Sequence, residues 1–123
     1  MSKYFEDNEM VCHCCGRLPE GGIDEKLYAL LDDMREEVGE PLTVNCSYRC
    51  FEHNLIVGGV ENSEHTNSPC TAADINASGI GVDRLAEIAE KCGADGVGRY
   101  YDDEFVHVDV RSGRIGDDYR WVG

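Results

Sequence analysis

Two histidines and one aspartate are the residues of this sequence best suited to metal chemistry. His65 and Asp74 lie a short loop apart, and Asp74 sits in the apolar run 72–75, which predicts a strand. His107 comes later, inside a second predicted strand over 105–111. A buried carboxylate is costly unless it is paired or bound to a metal. Zinc accepts two imidazoles and one carboxylate while keeping a fourth position open for water, so these residues predict a zinc hydrolase site.

Two further residues are candidates for the catalytic step. Glu104, three residues before His107, could act as a general base on a zinc-activated water. Residues three apart in an ideal strand face opposite sides, so Glu104 reaches the His107 face only from a turn or a bulge, and Asp102 or Asp103 could take its place. Arg49 follows a predicted strand, and its guanidinium suits a substrate carboxylate or an oxyanion, although a plain ion pair is the alternative.

Two other residues could support the ligands. Asp109 could orient a ligand imidazole, or it could form a salt bridge with Arg111. Ser63 could hold the loop before His65, or it could be an ordinary turn hydroxyl. Both interpretations of each residue remain open on the sequence alone.

The cysteines form a separate feature. There are seven, an odd number, so they cannot all pair within the chain. Cys12, Cys14 and Cys15 cluster near the start, and Cys46 and Cys50 form a second group. A second metal site or a disulfide drawn from these two groups is one interpretation, and small buried side chains with a free thiol or two is the other.

Length and charge limit the classes of function. We expect 123 residues to form one domain over 1–123, with an irregular cysteine-rich start over 1–22 and a tail over 112–123. The net charge of -14 disfavours nucleic acid and anionic membrane surfaces as partners. The start of the chain lacks the pattern of a signal peptide, which predicts a cytoplasmic protein or one released by lysis. The sequence does not predict an oligomeric state.

Periodicity and capping residues predict a mixture of helices and strands. In chain order these are a short strand over 10–12, a helix begun by Asp24 and ended by Gly39, a strand over 42–46, a short helix over 51–57, a strand over 71–76, a helix capped by Asp83 and ended by Gly93, and strands over 97–101 and 105–111. Tyr119 and Trp121, in the tail, are expected to pack back on the domain.

Several short motifs, taken in order, resemble one known family. The motifs are Ser47-Tyr48-Arg49, His53-Asn54, Gly58-Gly59-Val60, Asn62-Ser63-Glu64-His65, Ala72-Ala73-Asp74-Ile75 and the run 105–111. Together they resemble the zinc D-Ala-D-Ala carboxypeptidase and dipeptidase family, which is subfamily A of the M15 peptidases. That family has the hedgehog/DD-peptidase fold and is related to phage L-alanoyl-D-glutamate endopeptidases. The likeness runs from the first predicted helix to Arg111, with Ser47 where glycine is usual.

The resemblance has direct implications for fold and function. It implies an α+β fold with a small antiparallel sheet and helices on one face. It also implies His65, Asp74 and His107 as zinc ligands, Glu104 as the base and Arg49 as a substrate or transition-state contact. The implied substrate is a peptidoglycan stem peptide or a D-amino-acid dipeptide.

Two other classes of function remain open on the sequence. One is a non-catalytic binding module that keeps the zinc and the fold, which the position of Glu104 would help to distinguish. The other is a cysteine-based redox or metal-storage protein, which would lose its metal when cysteines are replaced.

Overall fold

The computed structural model describes residues 2–13, 15–50, 64–66, 69–110 and 119–123, and within them the fold is α+β. One five-stranded sheet has the strand order β1-β2-β4-β3-β5. The elements are α1 (Glu25–Val38), β1 (Thr43–Cys46), β2 (Ala72–Asn76), α2 (Val82–Lys91), β3 (Gly96–Tyr100), β4 (Phe105–Asp109) and β5 (Tyr119–Val122). Short 3₁₀ turns span Asp7–Glu9 and Glu64–Thr66.

The strand register brings distant parts of the chain together at the centre of the sheet. Neighbouring strands are antiparallel, except that β3 and β5 run parallel. Asp74 on β2 lies opposite His107 on β4, and His107 lies opposite Gly98 on β3. The register therefore places two of the three predicted metal ligands side by side.

Helix α1 begins and ends as its sequence predicts. The Asp24 side chain accepts a hydrogen bond from the backbone N–H of Lys26, which satisfies one of the free donors at the helix start. Gly39 ends the helix with a left-handed φ of 75°, a conformation that glycine adopts without a steric penalty. Apolar side chains at helical spacing along α1 are buried, including Leu27, Leu31 and Met34.

Helix α2 begins earlier than the sequence analysis predicted. Its N-cap is Gly81, and Asp83 lies in the first turn, where a negative charge favours the positive end of the helix dipole. The prediction of Asp83 as the cap is therefore wrong, although a helix is present. The helix packs on β3, β4 and α1.

The helices cover one face of the sheet. Their apolar side chains join those of Ala73, Ile75, Val106 and Val108 in one buried core. Because side chains alternate along a strand, the residues between these positions project from the other face. Asp74, His107 and Asp109 belong to that second face. The predicted α+β fold, with an antiparallel sheet and helices on one side, is confirmed.

The start, the middle and the tail of the chain differ from the predicted elements or lie outside the described residues. Residues 10–12 form a bend instead of a strand. The tail contains β5, an element that the sequence analysis did not predict. The predicted helix over 51–57 lies outside the described residues, as does Arg111 at the end of the predicted strand 105–111. No helix in the part of the chain that the structure describes is long and apolar enough to cross a membrane.

Candidate metal centre

Three ligand atoms converge on the face of the sheet opposite the helices. His65 Nε2 lies 3.2 Å from Asp74 Oδ1, and His107 Nδ1 lies 3.1 Å from the same oxygen. The two imidazole nitrogens are 3.2 Å apart. The three atoms thus form a nearly equilateral triangle, and they come from a 3₁₀ turn and two neighbouring strands.

This triangle fits zinc. Ligands bound tetrahedrally at about 2.0–2.1 Å lie about 3.3–3.4 Å from one another. The observed edges of 3.1–3.2 Å are close to those values, so a small outward shift of the side chains would accommodate the ion. Two imidazoles and a carboxylate are also the donor set of catalytic zinc sites that keep a water position.

Hydrogen bonds on the far side of each ring fix which nitrogen faces the centre. The carbonyl oxygen of Ser47 lies 2.6 Å from His65 Nδ1, so that nitrogen carries the proton and donates it. Asp109 Oδ2 lies 2.8 Å from His107 Nε2, which likewise donates. The nitrogens facing Asp74 are then both acceptors. Three acceptors pointing at one another require a cation between them, either a proton or a metal ion.

The electrostatics of the three side chains agree with that requirement. Burial disfavours a charge on both imidazoles. The hydrogen bond to Asp74 nevertheless raises the pKa of His65, and the hydrogen bonds to Asp109 and Asp74 raise the pKa of His107. Burial also opposes the charge of Asp74, yet hydrogen bonds from His107 and His65 hold its pKa well below the usual range. The three groups thus favour a positive charge at their centre.

Hydrogen bonds to backbone carbonyls hold the turn that carries His65 and the ends of β1 and β2 together. His65 lies in the 3₁₀ turn Glu64–Thr66, and its carbonyl oxygen accepts a hydrogen bond of 2.9 Å from the backbone N–H of Arg49. The Ser47 hydroxyl donates to the carbonyl of Ala72 at 2.8 Å, which ties the end of β1 to the start of β2. The buried Cys70 thiol contacts the carbonyl of His65 at 3.7 Å. The sequence analysis did not assign roles to Ser47 or Cys70.

Asp109 supports His107 from a fully buried position. Its exposed fraction is 0%, and His107 is only 7% exposed. A hydrogen bond from the other ring nitrogen to a carboxylate orients a metal-binding histidine and makes it more basic. The structure therefore places the Asp109 carboxylate against His107, whereas Arg111, the partner in its other predicted role, lies outside the described residues.

Cys46 lies at the same centre because β1 contains an irregularity. Val44 pairs with Ile75, whereas Cys46 pairs with Asp74, so Asn45 is an extra residue in the ladder. The extra residue turns Cys46 to the face that carries Asp74. Its sulfur, a nitrogen of His65 and an oxygen of Asp74 all lie within 4.8 Å of one another. The sequence analysis placed Cys46 with Cys50 instead.

Trp121 packs beside the candidate metal centre. Its ring centroid lies 5.0 Å from that of His107, and its indole Nε1 donates a 2.9 Å hydrogen bond to the Tyr100 hydroxyl. Gly98 makes room for it, since a Cβ at Gly98 would lie 2.4 Å from the indole. This contact depends on the parallel pairing of β5 with β3.

The family of the chain follows from a comparison with protein-family models. A model described as Peptidase M15 matches residues 3–109, most of the chain. The chain belongs to the peptidase M15 family. Membership implies peptidase activity, and M15 peptidases are typically zinc-dependent. A search of curated proteins found no match.

The two candidate catalytic residues of this M15 peptidase occupy different settings. Glu104 is exposed in the turn before β4, with a left-handed φ of 57°. Among the described residues, no hydrogen bond or ion pair joins it to the three ligands. Arg49 is next to the centre through its backbone contact with His65. Asp102 and Asp103 are exposed in the same turn as Glu104.

The remaining predicted site residues fall into two groups. Ser63 and Cys14 lie outside the described residues. The sulfurs of Cys12, Cys15 and Cys50 lie within 4.8 Å of one another, so the predicted cysteine set is divided, with Cys46 at the histidine centre. The cysteines that the structure describes form no disulfide with one another.

Proposed function

We propose that this protein is a zinc-dependent metallopeptidase that hydrolyses peptide bonds in peptidoglycan stem peptides or in D-Ala-D-Ala-type dipeptides. The observation that carries the proposal is the triangle of His65 Nε2, Asp74 Oδ1 and His107 Nδ1. These atoms are all acceptors, because the other nitrogen of each ring carries the proton and donates it to Ser47 or to Asp109. Membership of the peptidase M15 family supports the same chemistry.

The proposed roles divide between the metal ligands and two other residues. His65, Asp74 and His107 would hold the zinc, which when bound lowers the pKa of a water and polarises the scissile carbonyl. Glu104 would accept the proton of the attacking water and pass it to the leaving amine. Arg49 would place its guanidinium against the carboxylate of the substrate or the negative charge that develops on the carbonyl oxygen.

The backbone at Glu104 gives independent support for its role. A left-handed φ costs an L-residue roughly 1–2 kcal/mol, and such strain is concentrated at functional sites. The turn position also answers the difficulty that residues three apart in a strand face opposite sides. Since Glu104 precedes β4 and is not part of it, strand alternation does not fix its direction.

The proposed substrate class rests on the resemblance in the motifs and on the place of Arg49. An arginine whose backbone adjoins the metal centre suits a peptide with a free carboxylate, which both a D-Ala-D-Ala terminus and a D-glutamyl side of a stem peptide provide. The backbone N–H of Arg49 donates a hydrogen bond to the His65 carbonyl, so the distance between the two backbones is fixed.

One observation favours the non-catalytic alternative. Cys46 is close enough to His65 and Asp74 to offer a fourth ligand. A closed four-coordinate zinc would have no position for water, and closed sites are structural. The protein would then be a zinc-containing module that binds cell-wall peptides without cleaving them.

The test uses zinc-loaded protein with two sets of substrates. Peptides ending in D-Ala-D-Ala report carboxypeptidase or dipeptidase activity by release of D-Ala, and purified muropeptides report cleavage between L-Ala and D-Glu. Mass spectrometry of the products identifies the bond. The controls are protein treated with a chelator and the ligand variant Asp74→Asn.

The outcomes are distinct. We expect zinc-dependent release of a free amine from at least one substrate set. Binding of the same peptides without cleavage by fully loaded protein would replace the enzyme with the binding module. Failure of the unmodified protein to hold zinc at the histidine centre would contradict both.

A further inference from the structure

A second cluster of metal-binding side chains lies apart from the histidine centre. The sulfurs of Cys12, Cys15 and Cys50 all lie within 4.8 Å of one another. Cys12 is fully buried, and the other two are partly buried. None of the three forms a disulfide with another described cysteine, and the proposed peptidase mechanism uses none of them.

The first two cysteines are presented by a tight turn. Cys12 and Cys15 have the C-x₂-C spacing that is common among zinc ligands. The N–H of Gly16 donates a 2.7 Å hydrogen bond to the Cys12 carbonyl, and the N–H of Cys12 donates a 2.9 Å bond to the Arg17 carbonyl. Gly16 has a left-handed φ of 68°, which lets the chain reverse just after Cys15. The turn thus brings both sulfurs to one side.

The third cysteine arrives on the segment that follows β1. Residues 47–50 alternate their contacts between the two sites. Ser47 and Arg49 contact His65, whereas the N–H of Tyr48 donates to the Met10 carbonyl at 3.1 Å. The N–H of Cys50 then approaches Cys12 Sγ at 3.4 Å. A hydrogen bond donated to sulfur favours the thiolate, which is the form that binds metal.

We propose that Cys12, Cys15 and Cys50 hold a second, structural zinc ion. Three sulfurs are one too many for a disulfide, and soft thiolates favour zinc over calcium or magnesium. Thiolates bound at about 2.3 Å in a tetrahedron lie about 3.8 Å apart, so the observed cluster needs only a modest contraction. A neighbouring side chain or a water supplies the fourth ligand.

The position of this ion gives it a structural consequence. It would join the N-terminal segment to the residue next to Arg49, on the same stretch of chain that holds the His65 ring through Ser47. Binding of a structural zinc contributes directly to folding free energy. The second ion would therefore stabilise the segment that positions the first site. The inference does not depend on peptidase activity.

The test is a cobalt titration of a Cys46→Ser variant. Cobalt replaces zinc and shows a near-ultraviolet charge-transfer band only when thiolates bind it, and removing Cys46 takes away the thiol that clusters with the ligand atoms of His65 and Asp74. We expect two equivalents of cobalt per chain, one of them with the thiolate band. Further replacement of Cys12 and Cys15 by serine should remove one equivalent and the band.

Cys92→Ser in the same background is the matched control, because Cys92 is a partly buried thiol at the end of α2 and belongs to neither cluster. It should leave both equivalents unchanged. A Cys46→Ser protein that binds one cobalt and shows no thiolate band would overturn the proposal, even if the double cysteine variant failed to fold. Mass spectrometry that found a disulfide between any two of the three cysteines in native protein would also overturn it.

Discussion

Gly96 lies directly across from Asp109, and the Asp109 carboxylate fills the space where a side chain at Gly96 would begin. A Cβ built on Gly96 would lie 2.2 Å from Asp109 Oδ2, the oxygen that binds His107. The carboxylate is fully buried. The absence of a side chain on β3 is therefore a condition for the hydrogen bond that fixes the His107 ring.

Replacing Gly96 with alanine should weaken zinc binding without removing any ligand. We expect an affinity loss of about 10–100-fold, the usual effect of disturbing the partner of a metal-binding histidine. A competition titration with a zinc-binding dye would measure it. Gly81→Ala is the control, since a Cβ there meets nothing within 4 Å. Equal affinities for the two variants would show that Asp109 does not support the metal through His107.

Removing a ligand should remove the metal from the histidine centre. We expect His107→Ala and Asp74→Asn each to lose about one zinc per chain and to unfold at a lower temperature, because metal binding is coupled to folding. Elemental analysis and thermal unfolding with and without zinc would measure both effects. Asp103→Asn, an exposed carboxylate in the turn before β4, is the matched control. If either ligand variant keeps the full zinc content, that residue is not a ligand.

Glu104→Gln should separate chemistry from binding. The amide keeps the size of the side chain but cannot take a proton, so cleavage should slow by on the order of 10²-fold or more while the zinc content stays the same. Asp102→Asn and Asp103→Asn test the other two acids of the turn and should retain activity. A large effect in either of these, with normal turnover in Glu104→Gln, would transfer the role of base to that aspartate.

Glu104→Gly should make the protein more stable and less active. Glycine adopts a φ of 57° without the penalty that glutamate bears there, which should raise the free energy of unfolding by up to about 1 kcal/mol. This gain is reduced because glycine loses more conformational entropy on folding than glutamate does. Chemical denaturation would measure the stability, and the peptide assay the activity. A less stable Glu104→Gly protein would mean that the Glu104 side chain makes stabilising contacts that offset its backbone strain.

Trp121 should report metal binding at the histidine centre. It is the single tryptophan of the chain, and its ring centroid lies 5.0 Å from that of His107. A cobalt(II) ion bound by His107 is paramagnetic and would lie next to the indole, so it should quench the indole fluorescence. The quenching should disappear in His107→Ala and persist when Cys12 and Cys15 are replaced by serine. Quenching that instead followed the cysteines would place the reporting ion at the other cluster.

The candidate ligands of the centre and the main elements that carry them could be predicted from the sequence alone. The apolar stripe from Ile23 to Val38, with Asp24 before it and Gly39 after it, is local information, so α1 was predictable. Asp74 and His107 were recognisable because a charge and an imidazole interrupt runs of strand-forming apolar residues. The order of the short motifs indicated the family, which the match over 3–109 shows.

The way in which these residues come together could be seen only in the folded structure. The nitrogen that His65 offers depends on the carbonyl of Ser47, in a distant part of the chain, and the nitrogen that His107 offers depends on the Asp109 carboxylate, which fits only because Gly96 lies across from it. One extra residue in β1 turns Cys46 toward Asp74, and a one-residue change of register reverses the face of every side chain beyond it. Likewise, Trp121 reaches His107 only because β5 pairs with β3. Hydrophobic periodicity is a property of neighbouring residues, whereas register and strand order are set by contacts between distant ones, so the pattern could not specify them.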